Sequence, residues 1–293
     1  MKVAIASGKG GTGKTTVATN LACVAAQAGL AVVYADCDVE EPNGHLFLKP
    51  AIEAESLVNK QAPEVDAEKC VVCGECARFC RFNAIICVGS RVVIYPELCH
   101  ACGGCMRVCQ WEAIRETAQE IGRVHQGRAG QIHFVQGMLR VGESQSPPVV
   151  RAVKAAVPPA DLVLLDAPPG ASCPVVETVR ETDFLLLVAE PTPFGLHDLR
   201  LAVDLARALK LDCGVVINRA CAGRTDVRQF CQQASLPILA EIPDDLAIAE
   251  AYSEGRLAVE ALPNYRRTFA DLLGQLALMP NGAALKKKLQ CRN

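Results

Sequence analysis

Hydrophobic residues along most of the chain fall into short runs that are separated by stretches with helical periodicity. The run KVAIA at 2–6 precedes a glycine-rich turn, a helical pattern over 15–28 and a second apolar run, AVVYA at 31–35. Apolar runs of this length around a helix predict a β–α–β unit with parallel strands. Later runs continue the pattern, and they are QIHFV at 131–135, ADLVLLD at 160–166, FLLLVAE at 184–190, GVVIN at 214–218 and LPILAEI at 236–242. We therefore expect an α/β domain with a parallel sheet and helices on both faces.

The stretch 55–117 differs in its sequence pattern from the rest of the chain, because it lacks the long apolar runs. Eight of the 16 cysteines lie in two copies of one unit, CVVCGECARFCRFNAI at 70–85 and CHACGGCMRVCQWEAI at 99–114, which align without gaps. Two copies of a short unit predict a module with pseudo-two-fold symmetry around something that both copies bind. The expected organisation is an α/β domain formed by 1–54 and 118–293, with 55–117 as a small inserted α+β domain.

Composition narrows the classes of function. The chain has 293 residues, of which 51% are hydrophobic, so a large core can form. A net charge of −2 and an aromatic content of 4% argue against a dedicated nucleic-acid-binding protein. The apolar stretch after Met1 and Lys2 is too short for a signal peptide and no run is long enough to span a bilayer, so we expect a cytoplasmic protein. In the reducing cytosol, clustered cysteines indicate metal ligands rather than disulfides.

A glycine-rich loop follows the first predicted strand. It matches the phosphate-loop pattern G-x-x-x-x-G-K-[ST] with Gly8, Lys9, Gly10, Gly11, Thr12, Gly13, Lys14 and Thr15. Glycines allow backbone N–H groups to face phosphate oxygens, and the N-terminus of the following helix adds a partial positive charge. Lys14 is expected to reach the β- and γ-phosphates of ATP or ADP, and the Thr15 hydroxyl to ligate Mg²⁺. A chance glycine-rich turn is the alternative, and the strand before and helix after the loop argue against it.

Carboxylates follow two of the apolar runs and predict the metal and water sites. Asp166 closes LVLLD, and Asp36 and Asp38 follow AVVYA. Because the carboxyl ends of parallel strands face one crevice, these side chains are expected near the phosphates. Asp166 is the candidate second protein ligand of Mg²⁺, and Asp38 or Asp36 would orient the attacking water. The alternative for Asp36 and Asp38 is a role in forming a turn or capping a helix.

The second lysine of the loop is an additional indication, because Lys14 alone suffices to hold a nucleotide. With Lys9 included, the loop KGGTGKTT resembles the deviant Walker A motif of the MinD/ParA superfamily of P-loop NTPases. In that family the first lysine crosses a dimer interface to the partner's phosphates. The resemblance therefore implies that Lys9 stabilises transition-state charge in a second chain, in the manner of an arginine finger.

The same resemblance implies roles for further residues around the nucleotide. It places Thr16 at the α-phosphate, Asp38 at the water site and 166–170 in the second switch. Asn218, at the end of GVVIN, and Pro243 match the adenine-contacting positions of the family. The catalytic set that it implies is Lys9, Lys14, Asp38 and Asp166.

Each copy of the repeat contains the spacing C-x₂-C-x₂-C-x₃-C. This is the spacing of bacterial ferredoxins with two [4Fe–4S] clusters, in which the fourth cysteine of each run ligates the other cluster. A structural zinc site is the alternative, but such sites usually pair two C-x₂-C units over about a dozen or more residues. The proline that follows the last cysteine in ferredoxins is Arg81 in one copy and Gln110 in the other. The expected ligand sets are Cys70, Cys73, Cys76 and Cys109 for one cluster, and Cys80, Cys99, Cys102 and Cys105 for the other.

Two cysteines outside the repeat lie in the predicted nucleotide switches. Cys37 separates Asp36 from Asp38, and Cys173 lies in DAPPGASCPVVE at 166–177. Both are candidates for a redox or metal-transfer group in the crevice. The alternative is that each is simply a small side chain in a tight loop.

The whole chain resembles ATPases of the MinD superfamily that contain an inserted ferredoxin domain. Supporting stretches are DCDVEEPN at 36–43, DAPPGASCPVVE at 166–177, AEPTPFGLHDL at 189–199 and IPDDLAIAEAYSEG at 242–255. The resemblance implies an ATPase that is slow without a partner and forms a nucleotide-dependent homodimer, or a heterodimer with a related ATPase. It also implies coupling to electron transfer or metallocluster handling for a client protein.

Two other functions stay open on the sequence alone. One is a positioning ATPase in which the ferredoxin module is a sensor, and the other is an electron carrier in which the ATP site is structural. Neither nucleic acid nor a membrane is an expected partner, because the net charge is close to zero and the tail LKKKL has little apolar area.

Overall fold

The structure is a computed structural model that describes residues 1–221 and 223–290. Within these residues the strands are β1 (Lys2–Ala6), β2 (Val32–Asp36), β3 (Ala51–Val65), β4 (Ile85–Val88), β5 (Arg91–Ile94), β6 (Ile114–Ala129), β7 (Ile132–Leu139), β8 (Leu162–Asp166), β9 (Phe184–Ala189), β10 (Cys213–Ala220) and β11 (Ile238–Pro243). The helices are α1 (Lys14–Gln27), α2 (Gly44–Leu48), α3 (Glu75–Phe79), α4 (Gly104–Val108), α5 (Pro147–Ala155), α6 (Cys173–Val179), α7 (Pro193–Ala208), α8 (Asp226–Gln233), α9 (Leu246–Ser253), α10 (Ala258–Ala261), α11 (Pro263–Leu278) and α12 (Ala283–Gln290).

The main sheet of the described residues contains nine strands in the order β11-β10-β9-β1-β8-β2-β7-β6-β3. The strands from β11 to β7 are parallel to one another, whereas β6 and β3 extend the sheet in the antiparallel sense. Parallel neighbours need crossover connections, and helices supply most of them. The predicted α/β fold with a mainly parallel sheet is confirmed.

Residues of β1 show how the sheet divides the interior into two cores. Val3 and Ile5 belong to one core together with residues of α1 and α11, while Ala4 and Ala6 belong to a second core with residues of α5 and α7. Successive side chains of a strand point to opposite faces, so a strand that is covered on both sides is apolar at every position. Helices therefore lie on both faces, as the sequence predicts.

Strands β3 and β6 form a long ribbon that the apolar pattern does not predict. Ala51 lies opposite Arg128 at one end, and the other end carries 66–113. The expected domain boundaries at 55 and 117 therefore fall inside paired strands rather than in linkers. The sequence of β3 gives a weak signal because most of its residues are exposed, and its glutamates suit the open edge of a sheet.

The stretch 66–113 consists of two copies with matching backbone geometry. Gly74 and Gly103 have φ values of 82° and 67° and stand immediately before α3 and α4. Two further pairs of residues have left-handed φ values between 48° and 55°, and they are Val72 with Ala101 and Asn83 with Glu112. Members of each pair are 29 positions apart, like the first cysteines of the two sequence copies. The pseudo-two-fold repeat is thus present in the backbone.

Candidate functional site

A crevice of about 350 Å³ opens at the carboxyl ends of the parallel strands, beside the loop that joins β1 to α1. Most of the residues predicted for nucleotide chemistry line it, and these are Gly10, Gly11, Gly13, Lys14, Thr15, Thr16, Asp38, Asn218 and Pro243. Five predicted residues are not among its lining, namely Gly8, Lys9, Thr12, Asp36 and Asp166. Pro169, from the predicted second switch, also lines the crevice. Eight further lining residues have no role predicted from the sequence, and they are Glu41, Asn43, Arg219, Asp244, Asp245, Ile248, Ala249 and Tyr252.

An amide from β10 holds the phosphate loop in shape. Asn218 Nδ2 donates a hydrogen bond to the carbonyl oxygen of Thr12 at 2.7 Å. Gly13 follows with a φ of 92°, and a Cβ atom there would lie 2.3 Å from Asn218 Nδ2. Glycine is therefore required at position 13 by the backbone conformation and by the lack of space.

The carboxylate of Asp166 has one bonded oxygen and one unpartnered oxygen. Its Oδ2 accepts a hydrogen bond from the Tyr34 hydroxyl at 2.9 Å, and its buried Oδ1 has no hydrogen-bond partner within the described residues. Burial raises the pKa of the Asp166 carboxyl, while the Lys14 ammonium and the Thr15 hydroxyl act to lower it. A carboxylate oxygen and a threonine hydroxyl in proximity form a suitable pair of hard oxygen donors for Mg²⁺.

The structure distinguishes Asp36 from Asp38. Asp36 is fully buried and its carboxylate accepts hydrogen bonds from the backbone N–H groups of Asp38, Asn43 and Gly44 at 2.9–3.2 Å. Asp36 therefore shapes the turn after β2, which is the structural alternative considered for it. Asp38 lines the crevice, where burial and the neighbouring Asp166 raise the pKa of its carboxyl to about 6.

Lys9 is turned away from the crevice of its own chain. Its Nζ forms an ion pair with Glu190 Oε2 at 3.0 Å, and Arg219 Nη1 lies 2.6 Å from Glu190 Oε1. The Lys9 side chain remains 36% exposed. Of the two lysines in the loop, Lys14 is thus the one that lines the crevice in the single chain.

Two small cavities lie in the cysteine-rich stretch, and each is lined by four cysteines. The first is lined by Cys70, Cys73, Cys76 and Cys109, with apolar walls that include Val65, Val92, Trp111 and Ile114. The second is lined by Cys80, Cys99, Cys102 and Cys105, with walls that include Phe79, Phe82 and Ile85. The structure therefore groups the cysteines as the two sets expected from the spacing, with the fourth member of each set contributed by the other copy.

The eight cysteines differ in exposure, since Cys76 and Cys99 are buried whereas Cys73 and Cys102 are exposed. Backbone N–H groups of Ala101 and Ala113 donate to Cys99 Sγ and Cys109 Sγ, both at 3.4 Å. Burial raises the pKa of the Cys105 thiol to about 11. Across 1–221 and 223–290, no group of three His, Cys, Asp or Glu side chains is placed to hold a single metal ion.

The two switch cysteines differ in their surroundings. Cys37 is fully buried in the second core, next to β2 residues rather than in the crevice, and burial raises the pKa of its thiol far above the ordinary value. The redox role of Cys37 stays a prediction, and it would require this buried thiol to become accessible and to ionise. Cys173 is exposed at the start of α6, and its role stays a prediction.

The parallel sheet, the glycine-rich loop between β1 and α1, and the acidic residue at the end of β8 define a P-loop NTPase. The chain belongs to the CobQ/CobB/MinD/ParA nucleotide binding domain family, whose family model matches residues 3–259. Within the described residues, no helix combines the length and the apolar character that crossing a membrane requires.

Several known proteins are similar to this chain in sequence or in fold. An uncharacterized protein of Methanocaldococcus jannaschii is 35% identical over 225 residues, which cover 75% of this chain and 78% of that protein. An iron-sulfur cluster carrier protein of Pyrococcus horikoshii is 24% identical over 279 residues, which cover 87% and 77%. The septum site-determining protein MinD of Pyrococcus horikoshii, solved in complex with Mg-ADP, has the same fold with a TM-score of 0.56 at 21% identity, covering 92% of this chain and 93% of that one.

Proposed function

We propose that this protein is an ATP-hydrolysing iron–sulfur protein whose nucleotide-dependent dimerisation is coupled to electron transfer or metallocluster handling for a client protein. One observation carries the proposal: a single chain combines a phosphate-loop crevice with two cavities that are each lined by four cysteines. Membership of the nucleotide-binding family supports the ATPase activity. The similarity to an iron-sulfur cluster carrier protein supports the metallocluster part.

In this proposal, the loop 8–13 binds the phosphates of ATP through its backbone N–H groups. Lys14 neutralises the β- and γ-phosphates, Thr15 and Asp166 hold Mg²⁺, and Asp38 orients the attacking water. The unpartnered Oδ1 of Asp166 supports the metal site, because a buried carboxylate oxygen without a donor is costly unless a cation binds there. The position of Asp38 in the crevice supports its role at the water.

The remaining contacts concern the α-phosphate and the base. Thr16 is assigned to the α-phosphate, and Asn218 and Pro243 to the adenine. All three line the crevice. Asn218 donates one amide N–H to the loop, so its second N–H and its carbonyl oxygen are available for the base.

Catalysis also needs a second chain, because Lys9 is placed outside its own crevice. When two chains close over ATP, Lys9 would leave Glu190 and reach the partner's phosphates. Glu190 keeps Arg219 as an ion-pair partner, so the release of Lys9 does not leave a buried carboxylate unpaired. The dimer is a homodimer or a heterodimer with a related ATPase, and a single chain hydrolyses ATP slowly.

Two [4Fe–4S] clusters are proposed for the cysteine cavities, which makes 55–117 a ferredoxin-like domain joined to the sheet through the β3–β6 ribbon. The donor chemistry fits, since each cavity offers four thiols and apolar walls. A zinc ion would draw four sulfurs to within about 2.3 Å of one point. The run C-x₂-C-x₂-C-x₃-C, present twice, is instead the ligand spacing of [4Fe–4S] proteins. Bound [4Fe–4S] clusters would supply one-electron transfer.

Two other functions compete with this one. The likeness to MinD structures favours a positioning ATPase in which the cysteine module acts as a sensor. An electron carrier with a purely structural ATP site is less consistent with Lys9 and Asp38, because neither residue is needed to bind a nucleotide passively. The protein is proposed to act in the cytoplasm without a nucleic-acid partner, in keeping with its net charge of −2.

Anaerobic purification followed by iron and sulfide analysis and by EPR, with and without ATP, tests the proposal. We expect about eight irons per chain and an EPR spectrum of the reduced protein that changes when ATP and Mg²⁺ are added. Stoichiometric zinc in place of iron would disprove the cluster assignment. An iron-loaded protein whose dimerisation and spectrum ignore ATP, but whose location in the cell depends on ATP, would favour the positioning ATPase.

A further inference from the structure

The loop 140–146, which joins β7 to α5, is bonded to the backbone of the cysteine-rich stretch. The Arg140 guanidinium forms an ion pair with Glu97 at 3.1 Å. Gln145 Nε2 donates a hydrogen bond to the carbonyl oxygen of Cys99 at 2.6 Å. Cys99 is one of the four cysteines that line the second cavity. The loop therefore helps to fix the segment that presents this thiol.

A buried ion pair gives this loop a defined shape. Lys60 Nζ lies 2.8 and 2.7 Å from the two carboxylate oxygens of Glu143, and both side chains are 3% exposed. The same carboxylate accepts hydrogen bonds from the backbone N–H groups of Ser144 and Gln145 at 3.0 and 3.1 Å. Charge-assisted bonds in a desolvated place are strong and directional. Gln145 is thus held in position by Glu143 and, through Lys60, by β3.

The other end of the loop is connected to the nucleotide crevice. Leu139, the last residue of β7, donates its backbone N–H to the carbonyl oxygen of Val39 at 2.8 Å. Val39 directly follows Asp38, which lines the crevice. A Cβ atom at Gly137 would lie 2.5 Å from Val39 Cγ1, so β7 and this segment pack without spare room. Val39 and β7 thus connect Asp38 to the start of the loop 140–146 by a hydrogen bond and by close packing.

We infer that the loop 140–146 transmits the nucleotide state of the crevice to the second cysteine cavity, with Gln145 as the positioning residue of Cys99. Within the described residues, hydrogen bonds and ion pairs connect this loop to Glu97 and Cys99, beside the second cavity. None of them reaches a cysteine of the first cavity. The inference rests on the proposed function and deepens it, because it identifies which of the two cavities responds to ATP.

Hydrogen–deuterium exchange on the full, anaerobically purified chain tests this inference, with and without a non-hydrolysable ATP analogue and Mg²⁺. In the wild-type protein we expect the analogue to change amide exchange in 96–101 by about fivefold, the factor that one hydrogen bond contributes to a local equilibrium. Amides of 70–76, beside the first cavity, should not change. In Gln145→Leu the response of 96–101 should fall below about twofold while the affinity for the analogue is kept.

Two further variants complete the design. Gln131→Leu changes an exposed glutamine in the turn just before β7, far from the loop 140–146 along the strand, and should respond like the wild type. Gln145→Asn keeps an amide that is too short for the contact, and it replaces Gln145→Leu if that variant does not fold. An undiminished response in both Gln145 variants, or no response of 96–101 in wild-type protein saturated with the analogue, overturns the inference.

Iron and sulfide counts on the same samples separate this inference from the proposed function. A protein without iron that still shows the Gln145-dependent response disproves the cluster assignment and leaves the coupling through the loop standing. A protein with about eight irons and the same response in every variant keeps the cluster assignment and disproves the coupling.

Discussion

The side-chain amide of Asn218 donates to the carbonyl oxygen of Thr12 across 2.7 Å, although 206 positions separate the two residues in the chain. Asn218 lies on β10, which is separated from β1 by β9 in the sheet. The hydrogen bond therefore connects the phosphate loop to a distant strand. The nucleotide site is complete only after these strands have assembled.

Asn218→Ala should weaken the binding of ATP by about five- to tenfold, because the Thr12 carbonyl loses its donor and the loop loses part of its preorganisation. Titration calorimetry on the purified protein measures this effect. Asn264→Ala, at an exposed position near the start of α11, is the matched control and should bind like the wild type. Equal affinities for all three proteins would show that the loop does not depend on Asn218.

The two lysines of the phosphate loop should separate binding from turnover. Lys14→Ala should lose nucleotide binding, because this lysine lines the crevice of its own chain. Lys9→Ala should keep binding but lose ATP-dependent dimerisation and hydrolysis, because Lys9 instead pairs with Glu190 and is available to a partner. Nucleotide titration, light scattering after gel filtration and phosphate release measure the three properties. The same loss of binding in both variants would contradict the role of Lys9 across a dimer interface.

The grouping of the cysteines can be tested with pairs of substitutions. Cys70→Ala with Cys109→Ala removes two members of one cavity, and about four irons per chain should remain. Cys99→Ala with Cys109→Ala removes one member from each cavity, and both centres should be impaired, leaving well under four irons. Cys87→Ala changes an exposed cysteine on β4 and serves as the control, with about eight irons. Four irons in the second double variant would indicate that each copy binds its own cluster.

The Lys60–Glu143 pair should be important for stability. Lys60→Met leaves a carboxylate that is 3% exposed without its cation, which is expected to lower the free energy of unfolding by about 3–5 kcal/mol. Lys60→Met with Glu143→Gln should recover part of this loss, since no buried charge is left unpaired. Arg123→Met removes an exposed partner of Glu55 and should change the free energy of unfolding far less, because solvent screens this pair. Urea denaturation measures the free energy of unfolding of all three variants. Equal losses for Lys60→Met and Arg123→Met would refute the distinction between a buried and an exposed ion pair.

Local sequence carries the phosphate-loop motif and the cysteine spacing, because the residues of each motif are close in the chain and their chemistry depends on spacing. The ribbon of β3 and β6 was missed for a physical reason. Most side chains of β3 are exposed, so the strand lacks the apolar alternation by which half-buried strands are recognised. The lining contributed by Asp244, Asp245 and Tyr252 depends on how α9 packs near the loop, which no local pattern encodes.

The position of Cys37 could have been predicted from strand geometry. Side chains alternate along an extended segment, so Cys37 continues the face of Val33 and Ala35, which belong to the second core. By the same alternation, Asp36 and Asp38 lie on the other face of this segment. The ion pair of Lys9 with Glu190 could not be predicted in this way, because it joins residues that are far apart in the chain.

Native mass spectrometry of the anaerobically purified chain is the decisive experiment, because it counts nucleotides and metal centres on the same molecule. We expect a chain that carries two [4Fe–4S] clusters and one nucleotide, and a shift from single chains to pairs when ADP is replaced by ATP with Mg²⁺. A chain that carries zinc or a single cluster, or one that binds ATP without ever pairing, would contradict this expectation.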